Sequence, residues 1–188
     1  MTSLLASLSI DMNLGFWCEI HVWNTTHVSQ PTPVADFKWT DLQTEGVTDL
    51  GRALAMVAEQ LRIPPMTDRA LPPVLVLISD GQPTDDFNQG LQALLNEPWG
   101  KKAVRIAIAI GEDADTEVLQ KFIGYPELKP LQANNPETLV RHIKWVSTAV
   151  LKSASSPASQ AAGVTPGLNV PIPTPPSAAG PSSAGDVW

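Results

Sequence analysis

Apolar and polar residues alternate in two segments near the start of the chain, and this spacing predicts β-strands. In residues 16–23 every second position from Phe16 to Val22 is apolar, which gives the strand one apolar face. Residues 27–34 form a second strand pattern that contains Pro31 and Pro33. Because proline cannot donate a hydrogen bond to a strand ladder, we expect this strand to lie antiparallel at a sheet edge.

Further along, apolar residues recur every three or four positions in four segments, as in amphipathic helices. The first covers residues 49–61, with Thr48 as a candidate N-cap, and Thr84 is a candidate N-cap for the second. The third ends at Gly124, and Asn135 opens the fourth as its N-cap. The predicted inward positions are Leu50, Leu54, Val57 and Leu61; Phe87, Leu91, Leu94 and Leu95; Val118, Leu119, Phe122 and Ile123; and Leu139, Ile143, Val146 and Val150.

Two continuous apolar runs, residues 74–78 and 103–110, are typical of parallel strands that are buried on both faces. The second is interrupted only by Arg105, and a brief further strand is predicted around residues 128–131. An edge hairpin followed by alternating helices and strands predicts an α/β fold. We expect a doubly wound, Rossmann-like and mostly parallel sheet, with helices on both faces and one antiparallel edge strand.

The composition changes sharply after Lys152. Residues 153–188 are mostly Ser, Ala, Pro and Gly, with too little apolar side chain to offset the entropy of ordering. We therefore expect one domain over residues 1–152 and a disordered tail over residues 153–188.

Charge and composition exclude several functions. The formal charge of −7 disfavours nucleic-acid binding, which needs clustered Lys and Arg. Cys18 is the only cysteine, so the chain can form neither an internal disulfide nor a thiolate zinc cluster. The sequence has no apolar run of about 18 residues, which a membrane span needs, and its N-terminus is a poor signal peptide. We expect a cytoplasmic protein that does not bind membranes.

Two polar segments should meet where ligands gather in open α/β sheets, beyond the carboxyl ends of the strands. One is Ser-Asp-Gly-Gln-Pro-Thr-Asp, residues 79–85, directly after a buried strand; the other is Glu-Gly-Val-Thr-Asp, residues 45–49, at a helix start. The carboxylate of Asp80 and the hydroxyl of Thr48 are oxygen ligands of the kind a hard divalent cation prefers. The structural alternatives are that Asp80 is a turn residue and that Thr48 is a helix cap.

Other chemistries lack their motifs. Neither Gly-x-x-x-x-Gly-Lys-Ser/Thr nor Gly-x-Gly-x-x-Gly occurs, so nothing marks a nucleotide phosphate site, and the Gly-x-Ser-x-Gly nucleophile turn is also missing. His21, His27 and His142 are widely spaced in the sequence. Asp113 and Asp115 flank a predicted helix start, where the helix dipole favours carboxylates.

Residues 75–85, Leu-Val-Leu-Ile-Ser-Asp-Gly-Gln-Pro-Thr-Asp, resemble the third metal-site segment of von Willebrand factor A domains. Residues 46–54, Gly-Val-Thr-Asp-Leu-Gly-Arg-Ala-Leu, are similar to the second such segment. Residues 142–147, His-Ile-Lys-Trp-Val-Ser, resemble the bacterial tellurium-resistance subgroup. The resemblance covers residues 4–152.

The resemblance implies a metal-ion-dependent adhesion site that binds another protein and performs no catalysis. In that family a divalent ion is held by an Asp-x-Ser-x-Ser motif, a threonine and an aspartate, and an acidic side chain of the partner takes the open position. Thr48 and Asp80 correspond to the second and third of these positions. The rim that faces the partner would include Asp49, Gly81, Gln82 and Asp85.

The first metal-site motif has no counterpart, because Asp-x-Ser-x-Ser does not occur and the nearest segment is Asp-Met-Asn-Leu-Gly, residues 11–15. We therefore align residues 4–10 with the end of the family's first helix and expect a fold that lacks its first strand. Three outcomes are open: the flanking strands close up, residues 1–11 fill the slot, or the chain starts upstream. We expect Mg²⁺ or Mn²⁺ to bind only weakly to this incomplete site.

The sequence thus predicts a bacterial, non-enzymatic adaptor of the A-domain type that acts in a stress-response system. One alternative is a metal-dependent hydrolase or phosphatase of the doubly wound type, with Asp80 at its centre. The other is a non-functional gene fragment.

Overall fold

The computed structural model describes the backbone of residues 3–11, 15–23 and 32–33, together with residues 36, 38, 48–64, 66, 71–154 and 172–176. The strands in these residues are β1 (Ser3–Asp11), β2 (Gly15–Trp23), β3 (Thr32–Pro33), β4 (Val74–Ser79), β5 (Val104–Ile110) and β6 (Leu131–Ala133). The helices are α1 (Leu50–Gln60), α2 (Phe87–Asn96), α3 (Pro98–Lys102), α4 (Thr116–Ile123) and α5 (Pro136–Trp145). A π-helical stretch, Val146–Val150, and a short helix, α6 (Leu151–Ala154), follow.

The strands form one sheet in the order β3-β2-β1-β4-β5-β6. β4, β5 and β6 are parallel, whereas β1 is antiparallel to both of its neighbours and β3 is antiparallel to β2. Four strands, β2, β4, β5 and β6, therefore share one direction. This arrangement confirms the predicted doubly wound α/β fold with an antiparallel edge strand. Of the predicted edge strand, residues 27–34, only Thr32–Pro33 is within the described residues.

Of the three outcomes left open for the missing first strand, the structure shows the second: β1 fills the slot between β2 and β4. Residues 4–10 are a strand, so the alignment with the end of a helix is wrong. Leu4 pairs with Ile78 and Leu8 with Val74. The strand also forms a hairpin with β2, so its direction is opposite to that of β4. The physical reason is that a buried central strand without a neighbour would leave unpaired amides and carbonyls, each costing about 1–3 kcal/mol.

The core lies around β4 and β5, where the continuous apolar runs predicted it. All six residues of β4 and the first six of β5 are buried, so both faces of these strands are covered. The helices contribute Leu54, Val57, Leu94, Leu119, Phe122 and Ile123.

The predicted inward face of α5 is wrong in part. Ile143 is 40% exposed, whereas His142 is only 1% exposed. His142 Nε2 lies 3.0 Å from the carbonyl oxygen of Gln132 on β6, and Thr138 and Trp145 are also buried. The helix is therefore rotated so that a polar residue bonded to the edge strand takes the place expected for Ile143.

Two of the four predicted helix ends are confirmed. Asn135 caps α5 by accepting from the amide of Thr138, and Gly124 ends α4 with a φ of 76°, a left-handed conformation that favours glycine. The other two assignments are wrong. Asp49, not Thr48, is the N-cap residue of α1, and Asp86, not Thr84, caps α2.

A buried arginine joins β5 to the elements beside it. Arg105 is 6% exposed; its Nε donates to the carbonyl oxygen of Phe122 at 2.8 Å, and its Nη1 donates to that of Gly100 at 3.0 Å. The guanidinium carbon lies 5.3 Å from the centre of the Tyr125 ring. Burial lowers the pKa of Arg105 from its ordinary value, and Tyr125 opposes that change.

Part of the Pro-rich region, residues 172–176, packs against the domain. Ile172 is partly buried and contacts the core, and three of the four residues that follow it are also partly buried. This segment therefore contributes apolar contacts although it forms neither helix nor strand.

Two truncations test that contribution. Ending the chain after Pro176 should leave the free energy of unfolding unchanged. Ending it after Ala154 should keep the fold but lower that free energy by about 1 kcal/mol, because a half-buried isoleucine is lost. Urea denaturation followed by circular dichroism measures both. Equal stability of the two truncated chains would show that the contact of Ile172 is dispensable.

Candidate functional site

A tight loop after β4 carries the candidate carboxylate. Gly81, which follows Asp80, has a φ of 71°, and a Cβ placed there would lie 2.5 Å from the carbonyl oxygen of Asp115. The amide of Asp115 in turn donates to the carbonyl oxygen of Asp80 at 2.6 Å. The loop therefore packs directly against the start of α4, and a side chain at position 81 would disturb that contact.

The side chain of Asp80 is partly buried and oriented by its neighbours. Its Oδ1 accepts from the amide of Gln82 at 3.2 Å and from the hydroxyl of Ser79 at 3.4 Å. Ser79 is fully buried, and its Oγ also accepts from the amide of Gly81. These two hydrogen bonds orient Oδ1, and within the described residues Oδ2 has no hydrogen bond.

Thr48 lies beside this loop. It is 5% exposed, and its carbonyl oxygen accepts from the amide of Thr84 at 2.9 Å. The hydroxyl of Thr84 donates to Oδ1 of Asp49 at 3.3 Å. The segment that carries Thr48 and the loop that carries Asp80 are thus joined beyond the carboxyl end of β4.

Asp85, expected to face a partner, is bonded within the chain. Its two carboxylate oxygens accept from the amides of Gly51 at 2.8 Å and Arg52 at 2.7 Å in the first turn of α1. Sequence reasoning missed this role because 33 or more residues separate the bonded groups, and no local spacing signals such a bond. Gln82 is exposed, and its side-chain amide donates to the carbonyl oxygen of Asp113 at 3.2 Å.

Two glycines allow α1 and α2 to approach closely at the same place. A Cβ on Gly90 would lie 2.6 Å from the Cα and the carbonyl carbon of Gly51 and still closer to its oxygen. A Cβ on Gly51 would overlap the backbone of Asp86. Glycine at both positions therefore permits α1 to pack closely against α2 and its N-cap residue, Asp86.

The two candidate ligands alone would not fill the coordination shell of a magnesium ion. Mg²⁺ takes about six oxygen ligands in near-octahedral geometry. The two candidates present are the hydroxyl of Thr48 and the carboxylate of Asp80. Among the residues that the structure describes, no three His, Cys, Asp or Glu side chains are grouped so that they could hold a metal ion.

The direction of β1 separates Asp11 from this edge. Leu8 pairs with Val74, so Asp11 lies three residues beyond one end of the pairing, while Asp80 lies six residues from Val74 in the other direction. At about 3.3 Å per residue the two are roughly 30 Å apart along the sheet. Asp11, the nearest sequence candidate for the first metal-site segment, therefore lies at the opposite edge.

His142 is the one histidine whose side chain the structure describes. His142 is buried against β6, far along the chain from the loop after β4. Only the backbone of His21 and Cys18 is described, as part of β2, and His27 lies outside the described residues. In the described part of the chain no helix combines the length and apolar character that crossing a bilayer requires.

The open sheet, with two joined polar segments beyond the carboxyl end of a central strand, defines a domain of the doubly wound α/β class, in which ligands commonly bind at that edge. The family model of the von Willebrand factor type A domain matches residues 21–142 of the chain. The chain therefore belongs to that family, whose domains are generally modules for protein interaction and adhesion and often bind divalent metals. No curated protein and no solved structure matches the chain.

Proposed function

We propose that this chain is a non-enzymatic recognition module that binds another protein at the carboxyl edge of its sheet. The observation that carries the proposal is the bonding of the Thr48 segment to the loop of Asp80 at that edge. Members of the family generally bind proteins through this kind of domain. The resemblance of residues 142–147 to the tellurium-resistance subgroup supports a role in a bacterial stress response.

The partner is expected to offer an acidic side chain, as the resemblance of the two metal-site segments implies. Asp49 and Asp80 already place two carboxylates at this edge. Because like charges repel, an acidic partner should bind only when a divalent cation is present to offset them. Capture of a partner that persists in a chelator would contradict this part of the proposal.

The cation site itself is proposed to be incomplete. Support comes from the two-member donor set and from the position of Asp11 at the opposite edge of the sheet. Water would have to supply the remaining oxygen positions, and affinity falls when few ligands are anionic.

Calorimetric titration with Mg²⁺ and Mn²⁺ tests this incomplete site. The chain should bind both ions only in the millimolar range, and Asp80→Ala should weaken the binding further, because the carboxylate is the stronger of the two ligands. Asp86→Ala, which removes a carboxylate that caps α2, is the matched control and should leave the titration unchanged.

Two outcomes would overturn the proposal. Tight, stoichiometric binding that Asp80→Ala abolishes would mean that other residues complete the ion's shell. Metal-dependent turnover of a generic phosphate ester that is lost in Asp80→Ala would establish a hydrolase in place of a recognition module.

A further inference from the structure

Four hydrogen bonds join the start of α1 to the loop between β4 and α2, and we name them the rim clasp. Two involve Thr84, whose amide donates to the carbonyl oxygen of Thr48 at 2.9 Å and whose hydroxyl donates to Asp49 at 3.3 Å. The other two run from the amides of Gly51 and Arg52 to the carboxylate of Asp85, at 2.8 and 2.7 Å. The clasp connects the two segments that carry the candidate metal ligands.

In the clasp, each of the two segments contributes a carboxylate that accepts hydrogen bonds from the other segment. Asp49 occupies the N-cap position of α1, yet its side chain forms no capping hydrogen bond. Asp85 caps α1 instead, from the neighbouring loop, and Asp49 accepts from that loop through Thr84. Carboxylates that accept from amides in the first turn of a helix are favoured by the helix dipole, and hydrogen bonds to charged groups are stronger than those between neutral groups.

The loop is also fixed on its other side. The amide of Asp115 donates to the carbonyl oxygen of Asp80, and Gly81 is in direct contact with the backbone of Asp115. The residues of the loop are therefore held between α1 and α4. Every one of these contacts is made by groups of the protein itself.

We propose that the rim clasp, rather than a bound ion, holds these two segments together, so that the recognition edge is already formed without a divalent cation. The inference deepens the proposed function and rests on it. An ion at Thr48 and Asp80 would bridge the segments through two side chains, whereas the clasp bridges them through four hydrogen bonds. Asp85 is accordingly a positioning residue that fixes Thr48 relative to Asp80.

Amide hydrogen exchange followed by NMR on the full chain tests the clasp. In the unmodified protein the exchange rates of the Gly51, Arg52 and Thr84 amides should be the same in a chelator and in millimolar Mg²⁺. Asp85→Asn removes the charge and one acceptor oxygen, so exchange at Gly51 and Arg52 should accelerate about ten-fold or more. Amides of β4 and β5 report in the same spectra whether the variant is still folded.

Asp86→Asn is the matched control, because Asp86 caps α2 through the amide of Gln89 but takes no part in the clasp. It should accelerate exchange at Gln89 and leave Gly51 and Arg52 within about two-fold of the unmodified chain.

The outcomes separate the clasp from the proposed function. If the Gly51 and Arg52 amides exchange no faster in Asp85→Asn than in Asp86→Asn, the proposed role of the clasp is wrong. That conclusion does not depend on the metal affinity. If Mg²⁺ slows these amides about ten-fold or more in the unmodified protein, an ion organises the edge and the inference fails. Should calorimetry show tight binding at Asp80 while exchange stays unchanged by Mg²⁺, the incomplete metal site is wrong and the clasp stands.

Discussion

Gly90→Ala should lower the free energy of unfolding by about 2–3 kcal/mol, although alanine is the better helix former by about 1 kcal/mol. The added Cβ would lie 2.6 Å from two backbone carbons of Gly51, so α1 and α2 must separate. Backbone atoms cannot move aside as the end of a flexible side chain can. Urea denaturation of the variant and the unmodified chain gives the difference directly.

A neighbouring substitution controls for helix propensity. Gln89 is exposed on the same helix, so Gln89→Ala also introduces an alanine but creates no contact with Gly51. It should change the free energy of unfolding by only a few tenths of a kcal/mol. Were Gly90→Ala as stable as Gln89→Ala, the close approach of α1 and α2 would be wrong.

Arg105→Ala should lower the free energy of unfolding by about 3 kcal/mol. The carbonyl oxygens of Phe122 and Gly100 would each lose a donor, at about 1–3 kcal/mol apiece, while removal of a desolvated charge returns part of that loss. Arg105→Lys keeps the charge but cannot reach both carbonyls in the same planar geometry. Its free energy of unfolding should therefore lie between those of the unmodified chain and Arg105→Ala. Thermal and urea unfolding monitored by circular dichroism measure the series.

Arg62→Ala is the control for loss of an arginine. Arg62 forms an exposed ion pair with Glu97 at 3.3 Å, and such pairs contribute about 0–1 kcal/mol. A loss at Arg105 no larger than the loss at Arg62 would contradict the structural role of the buried guanidinium.

The sequence was sufficient to predict those parts of the fold that depend on local pattern. The apolar runs of β4 and β5 require burial on both faces, and Pro31 and Pro33 exclude a central strand position. Asn135 begins α5 through a hydrogen bond with a residue three positions later, and Gly124 ends α4 through its own left-handed dihedral angles.

Long-range bonds account for what the sequence did not reveal. Thr48 and Thr84 were expected to cap their own helices, but each is engaged across the gap between α1 and the loop after β4. The carboxylate of Asp85 finds its amides 33 and 34 residues earlier in the chain. The direction of β1 depends on which strands pair with it. The alternation of apolar and polar residues along a strand reads the same in either direction, so the sequence pattern does not reveal that direction. The two candidate metal ligands were proposed from their residue type and position and then matched by resemblance, and their joint role remains a prediction.

Because β1 runs against β4, its first residues lie at the same edge of the sheet as Asp80: Leu4 is the partner of Ile78, two positions before the candidate carboxylate. Any affinity tag or fusion partner joined ahead of Ser3 would therefore begin at the edge that is proposed to recognise another protein, and would compete with that protein for space. For surface immobilisation or pull-down work with this chain, a tether at its first residues would therefore hold the proposed binding edge against the surface.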